Sequence, residues 1–192
     1  MDHKPNLSKD LILRTSARLF RKKSYPQVSM RGIAKELNVK AASLYNHIQS
    51  KDEILEGVIF KLVDSFMQTI DDTASKEIDT YHKLEEIIKT HIDIAVESPN
   101  SFATLNNDWI YLKGVKKEAF ISSRIAYEKQ LESILITGMK SKEIKTVNPK
   151  IMIYQLLSPL RNIHLWNKKN YMTPEELKSE LPQLILGGML RK

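Results

Sequence analysis

Apolar side chains recur at steps of three and four along nearly the whole chain, the spacing that lines up one face of an α-helix. Over 7–23, Leu11, Ile12, Ser16, Leu19 and Phe20 make one row, with Leu13, Ala17 and Phe20 beside it. Pro26 stops this helix, and Ser29 offers an N-cap to a short one from Met30 to about Leu37. Asn38 tolerates left-handed backbone and can make the tight turn usually left to glycine. A third short helix runs from about Lys40 to His47. Ser50-Lys51-Asp52-Glu53 then forms a capping box that opens a helix to about Thr73. At the α-helical rise that helix is about 35 Å long.

Further on, Leu84, Ile87, Ile88, His91, Ile92 and Ala95 stripe a helix over 81–98 that ends before Pro99. The stretch carrying Phe102, Trp109 and Tyr111 reads as loop-rich. Another helix spans Lys116 to about Ser141, one starts at Asn148-Pro149 and runs to about Lys169, and a last one runs to about Leu190. Thr173-Pro174-Glu175-Glu176 gives the last helix an N-cap, a proline in the first turn and a capping-box glutamate. No segment alternates as a strand does, and no Asn-Gly or Asp-Gly hairpin turn occurs. The expected fold is all-α.

Charge divides this helical chain in two. Residues 1–50 carry ten basic side chains against Asp2, Asp10 and Glu36, a net +7, while the other 142 residues hold twenty of each sign. The formal net charge of +7 therefore sits in the first quarter, as in a segment that meets a polyanion attached to a body that does not. The chain has no cysteine, which excludes disulfides, thiolate metal sites and a cysteine nucleophile. The opening MDHKPNLSKD lacks the apolar core of a signal peptide and no later run is a membrane span, so a cytoplasmic protein is expected.

Helix, short helix, tight turn and short helix make a helix-turn-helix unit buttressed by the helix before it. Ile33, Ala34, Leu37, Val39 and Leu44 are its apolar set, with small Ala34 admitting close approach of the two short helices. Lys40, Ala41, Ala42, Ser43, Tyr45, Asn46 and His47 remain outward, a short hydrogen-bonding face suited to a DNA groove. ILRTSARLF (12–20), VSMRGIAKELNV (28–39), SLYNHI (43–48) and SKDEIL (50–55) together resemble the DNA-binding domain of TetR-family transcriptional regulators over about residues 8–60. Ser24, Asn38 and Ile48 depart from that family's usual Gly, Gly and Phe.

The resemblance implies that Ser29, Tyr45, His47 and Lys51 hold phosphates, that Ala41, Ala42 and Ser43 face base edges, and that Lys40 contacts the backbone. Asn46 belongs to the same face. Arg31 occupies a second-helix position that reads guanine in tetracycline-repressor-like proteins; gripping a phosphate is the alternative. For His47 the alternative is a capping or core-edge role.

These patterns predict a helix-turn-helix DNA-binding domain over 1–50, a linking helix over about 51–73, and a ligand-binding and dimerisation bundle within 51–192. In the body, Trp109, Tyr127, Tyr154 and Arg161 are the candidates to hold a small-molecule effector between helices, against the ordinary role of such aromatics as core. The resemblance further implies a homodimer through the last two helices, about 149–169 and 174–190, with Pro159 and Pro182 kinking them. It also implies a pseudo-palindromic double-stranded DNA operator. The expected protein is a ligand-released repressor; an activator of the same fold or a ligand-independent architectural DNA binder is the alternative. No HExxH motif, phosphate-cradling Gly loop or nucleophile elbow occurs, so no catalytic centre, metal or cofactor is expected.

Overall fold

The computed structural model describes residues 7–166 and 172–190. Two compact units emerge: the chain up to Leu62 with Asn100–Glu118, and Val63–Pro99 with the chain from Ala119. They follow packing, and so divide the chain differently from the functional boundary expected at residue 50.

In the first unit α1 (Lys9–Lys23) starts at Ser8, whose hydroxyl accepts the Leu11 N–H at 3.2 Å. Asp10 at its start and Arg21, Lys22 and Lys23 at its end suit the helix dipole. Its inward face buries Ile12, Ser16, Ala17, Leu19 and Phe20. A 3₁₀ turn (Tyr25–Gln27) leads to α2 (Met30–Glu36), capped by Ser29. Asn38 makes the turn to α3 (Ala41–Tyr45) with φ 55°, while the Val39 N–H bonds back to the Ala34 carbonyl at 3.0 Å. The left-handed turn expected at Asn38 is there.

Helix α4 (Lys51–Ser75) opens with half of the expected capping box. The Ser50 hydroxyl accepts the Glu53 N–H, but the Glu53 carboxylate reaches one residue further back, to the Gln49 N–H at 2.8 Å. Ile54, Leu55, Val58 and Ile59 of α4 are buried, as are Ile33, Leu44 and Ile48.

Residues 99–111 correct the expected loop. They form α6 (Pro99–Asn107), which follows α5 (Thr80–Glu97), and a 3₁₀ turn at Trp109–Tyr111. Pro99, taken from sequence as a stop, is the first residue of α6, where its missing N–H costs nothing. Phe102, Ala103 and Thr104 are buried.

Ser24 carries backbone strain at φ 64° and ψ 149°, a region that glycine alone enters freely. Ser24→Gly is expected to raise the unfolding free energy by about 1 kcal/mol, after the extra freedom of unfolded glycine is counted. A urea midpoint at or below the unsubstituted protein's would show that Ser24 is not strained.

In the second unit α5 has Leu84, Ile87, Ile88, His91, Ile92 and Ala95 buried. Helix α10 (Pro174–Gly187) packs along it and adds an ion pair from Lys178 to Asp93. The full capping box at Thr173 and Glu176 is present. Helix α7 (Gly114–Lys140) supplies Leu131, Ile134 and Leu135.

The helix expected from Pro149 to about Lys169 is shorter than predicted. As α8 it ends at Arg161, and a single turn, α9 (Ile163–Trp166), follows. Pro159 lacks the N–H that would continue the ladder, and Asn162 caps the end by donating to the Pro159 and Leu160 carbonyls. The expected end near Lys169 lies outside the described residues. Pro182 sits buried inside α10, which continues to Gly187. Among the described residues there is no strand, only an isolated bridge between Ile144 and Leu190, and no helix is long and apolar enough to cross a membrane.

Candidate DNA-binding interface

Buried Ile33, Ala34 and Leu44 fix α2 against α3, and so decide which side chains of the short helices face outward. Arg31, Lys40, Ala42, Asn46 and His47 are exposed, and Tyr45 is 52% exposed despite its large ring. Ala41 and Ser43 are half-buried. An exposed tyrosine among small residues leaves the α3 surface low enough to enter a major groove. Ser29 keeps its hydroxyl oxygen on the Gly32 N–H at 3.1 Å, so toward a phosphate it has its hydroxyl proton to offer. Arg18 pairs with Glu36 at 2.6 Å, tying α1 to α2 and holding the Glu36 carboxyl below its usual range.

Lys51 stands apart from this exposed set. Its ammonium lies 4.3 Å from the centroid of the Tyr25 ring and donates to the Tyr25 and Pro26 carbonyls at 3.0 and 3.3 Å. The Tyr25 hydroxyl donates to Asp52, and Lys113 reaches the other oxygen of that carboxylate at 2.8 Å. The bonds to Lys113 and Tyr25 hold the Asp52 carboxyl below its usual range. Burial, then the bond to Asp52, pushes the Tyr25 hydroxyl far up, so it stays a donor. Asp108 is buried and accepts the Tyr25 backbone N–H; burial raises it to about 6. Sequence reasoning missed Tyr25, Asp52, Asp108 and Lys113, because no local pattern marks partners so far apart along the chain.

The four effector candidates are divided between the two units. Trp109 belongs to the first unit, in its 3₁₀ turn. Tyr127 and Arg161 belong to the second, around His91, which sequence had placed on the inner face of α5. The Tyr127 ring meets His91 edge-on at 5.9 Å and Phe66 at 6.3 Å, and Phe66 lies 4.5 Å from His91. Burial lowers His91 to about 4, outweighing its bond to the Ile87 carbonyl, so it is neutral. Burial likewise raises the Tyr127 hydroxyl. Arg161 is half-buried, 3.6 Å from Glu128; burial first, then Arg124, lowers its pKa. Tyr154 is 61% exposed on α8, as is Ile151 one turn before it at 62%.

Two family descriptions match the chain. Residues 12–58 match bacterial regulatory proteins of the tetR family, and residues 77–189 match the tetracyclin repressor-like C-terminal domain. The chain belongs to the TetR family. The tetR match over 12–58 takes in most of α1, all of α2 and α3 and the start of α4.

Among curated relatives, the nucleoid occlusion factor SlmA of Shewanella sp. (strain W3-18-1) is 27% identical over 125 residues. That match spans 65% of this chain and 64% of SlmA. Among solved TetR-family folds, PfmR of Thermus thermophilus superposes with a TM-score of 0.79 at 24% identity, covering 94% of this chain and 99% of PfmR. AibR, solved with isovaleryl coenzyme A and operator DNA, gives a TM-score of 0.80 at 21% identity, covering 92% and 96%.

Proposed function

We propose that the protein is a cytoplasmic repressor rather than an enzyme: it binds a pseudo-palindromic operator as a homodimer through α8 and α10 and is released by a small molecule. The carrying observation is the exposed, uncluttered α3 face beside Arg31 and Lys40, in the stretch that holds the whole net charge. Arg31 reads a base, Ala41, Ala42 and Ser43 face base edges, and Ser29, Lys40, Tyr45, Asn46, His47 and Lys51 fix the register on phosphates. Two such readers on a two-fold axis match half-sites about 34–36 Å apart, or a multiple of that.

The effector site in this reading is the second unit's cluster of Phe66, His91, Tyr127 and Arg161. An aromatic wall beside a half-buried guanidinium, whose 3.6 Å pairing to Glu128 is looser than a charge-assisted bond, suits an amphipathic anion. AibR with its bound isovaleryl coenzyme A supports a small-molecule effector. Such a ligand releases DNA only by binding the released state more tightly than the DNA-bound one.

Operator selection from random DNA, followed by affinity measurements, tests the reader. Arg31→Ala is expected to cost about 1–3 kcal/mol on the selected operator and little on random duplex, whereas Lys51→Ala weakens both alike. Equal losses on both duplexes for Arg31→Ala would remove the base-reading role. A second reading, a ligand-independent architectural DNA binder, is favoured by the similarity to SlmA. Selection that yields no palindromic consensus would support it over the repressor.

A further inference from the structure

Tyr25 is gripped from several sides. Phe20 meets its ring edge-on at 5.1 Å and Tyr111 stacks on it at 5.3 Å. Its hydroxyl is bound to the Asp52 carboxylate that Lys113 also holds, and its backbone N–H is bound to Asp108. Tyr25 in turn holds Lys51 by its ring and, with Pro26, by two carbonyl oxygens. Asp108, Tyr111 and Lys113 come from one short stretch between α6 and α7, far along the chain from the reader but packed in the same compact unit.

We propose that Asp108, Tyr111 and Lys113 form a clasp that positions Lys51, through Tyr25, for a DNA phosphate, so that residues 108–113 set the strength of the grip. This rests on Lys51 being a phosphate contact. An ammonium has three donors; two are used by the Tyr25 and Pro26 carbonyls, and the third is left for a phosphate oxygen. A lysine swinging freely must lose its rotamer freedom on binding, whereas one already seated has lost it in folding. The seat is only as firm as Tyr25, and the clasp supplies Tyr25 with a stacked ring, an acceptor for its N–H and, through Lys113, a fixed carboxylate for its hydroxyl. The buried Asp108 fits this role. Its carboxylate is out of water with the Tyr25 N–H as donor, a costly arrangement for a residue that merely fills space. Asp108, Asp52 and Glu56 are the acids acting on Tyr25, and Lys51 and Lys113 are the cations beside them.

The test is fluorescence anisotropy of the full chain on a random-sequence duplex across a salt series, with thermal melts to check folding. Lys51→Met is expected to weaken binding about three- to tenfold and to reduce the slope of log affinity on log salt by about 1. Asp108→Ala should reproduce most of both changes and add nothing when combined with Lys51→Met. Asp108→Asn should recover binding, because its amide oxygen accepts the same N–H. Should Asp108→Ala fail to fold, Tyr111→Leu carries the same expectation of a reduced slope. Wild-type affinity and slope in both Asp108→Ala and Tyr111→Leu, or effects that add in full to those of Lys51→Met, would overturn the clasp. Unchanged binding in Lys51→Met would overturn the phosphate role of Lys51 and the clasp with it.

Discussion

Placing charge on the open face of α8 and α10, as Tyr154→Asp with Leu184→Asp, is expected to yield a monomer whose operator affinity is lower by about 10²- to 10⁴-fold. Ile151, Tyr154 and Leu184 are 62%, 61% and 75% exposed, a concentration of apolar surface on the two helices that family resemblance assigns to the dimer. The inward faces of the same helices are closed by Leu156, Leu157, Leu160, Leu181 and Ile185, so the fold does not need the outer side chains. Two like charges facing their symmetry mates across a two-fold axis would also be buried without partners. Each reader alone then has only its own half-site to hold. Sedimentation would give the oligomeric state and anisotropy on the selected operator the affinity. A double variant that stays dimeric would place the interface elsewhere; a monomer with full affinity would show that the readers do not act as a pair.

Local chemistry made much of this molecule legible before its structure. Caps at Ser29 and Thr173 and the left-handed turn at Asn38 involve residues within a few positions of one another, and each is where the sequence implied. What stayed hidden depends on partners distant in sequence or on what covers a face. Pro99 can end one helix or begin the next, and only its neighbours decide. Tyr154 lies on an apolar stripe, and periodicity alone does not say whether a stripe meets core, ligand or a second chain. The seat of Lys51 depends on Tyr25 meeting Asp108 and Tyr111, more than eighty positions away. The exposed face of α3 was legible because its motif is local; the contacts between Tyr25 and residues 108–113 were not.

Phe20→Ala is expected to lower the unfolding free energy by about 3–5 kcal/mol, the range for deleting a buried aromatic ring. Phe20 is 1% exposed on α1 and packs against Tyr25 at 5.1 Å. Ile12, Ile33, Leu44 and Ile48, at 0–1% exposure, are already packed in the same unit and have little freedom to collapse into the space left. Against a total stability of about 5–15 kcal/mol, such a loss leaves a sizeable unfolded population at physiological temperature. The loss also reaches the DNA grip, because Phe20 is one of the two rings that hold Tyr25, and Tyr25 seats Lys51. Phe20→Leu should recover most of the stability by refilling the volume, but not the edge-on contact with Tyr25. Urea unfolding and the salt slope of DNA binding separate the two effects. A leucine variant that regains stability but keeps a reduced salt slope places Phe20 in the chain of contacts leading to Lys51, and one that regains both confines it to the core.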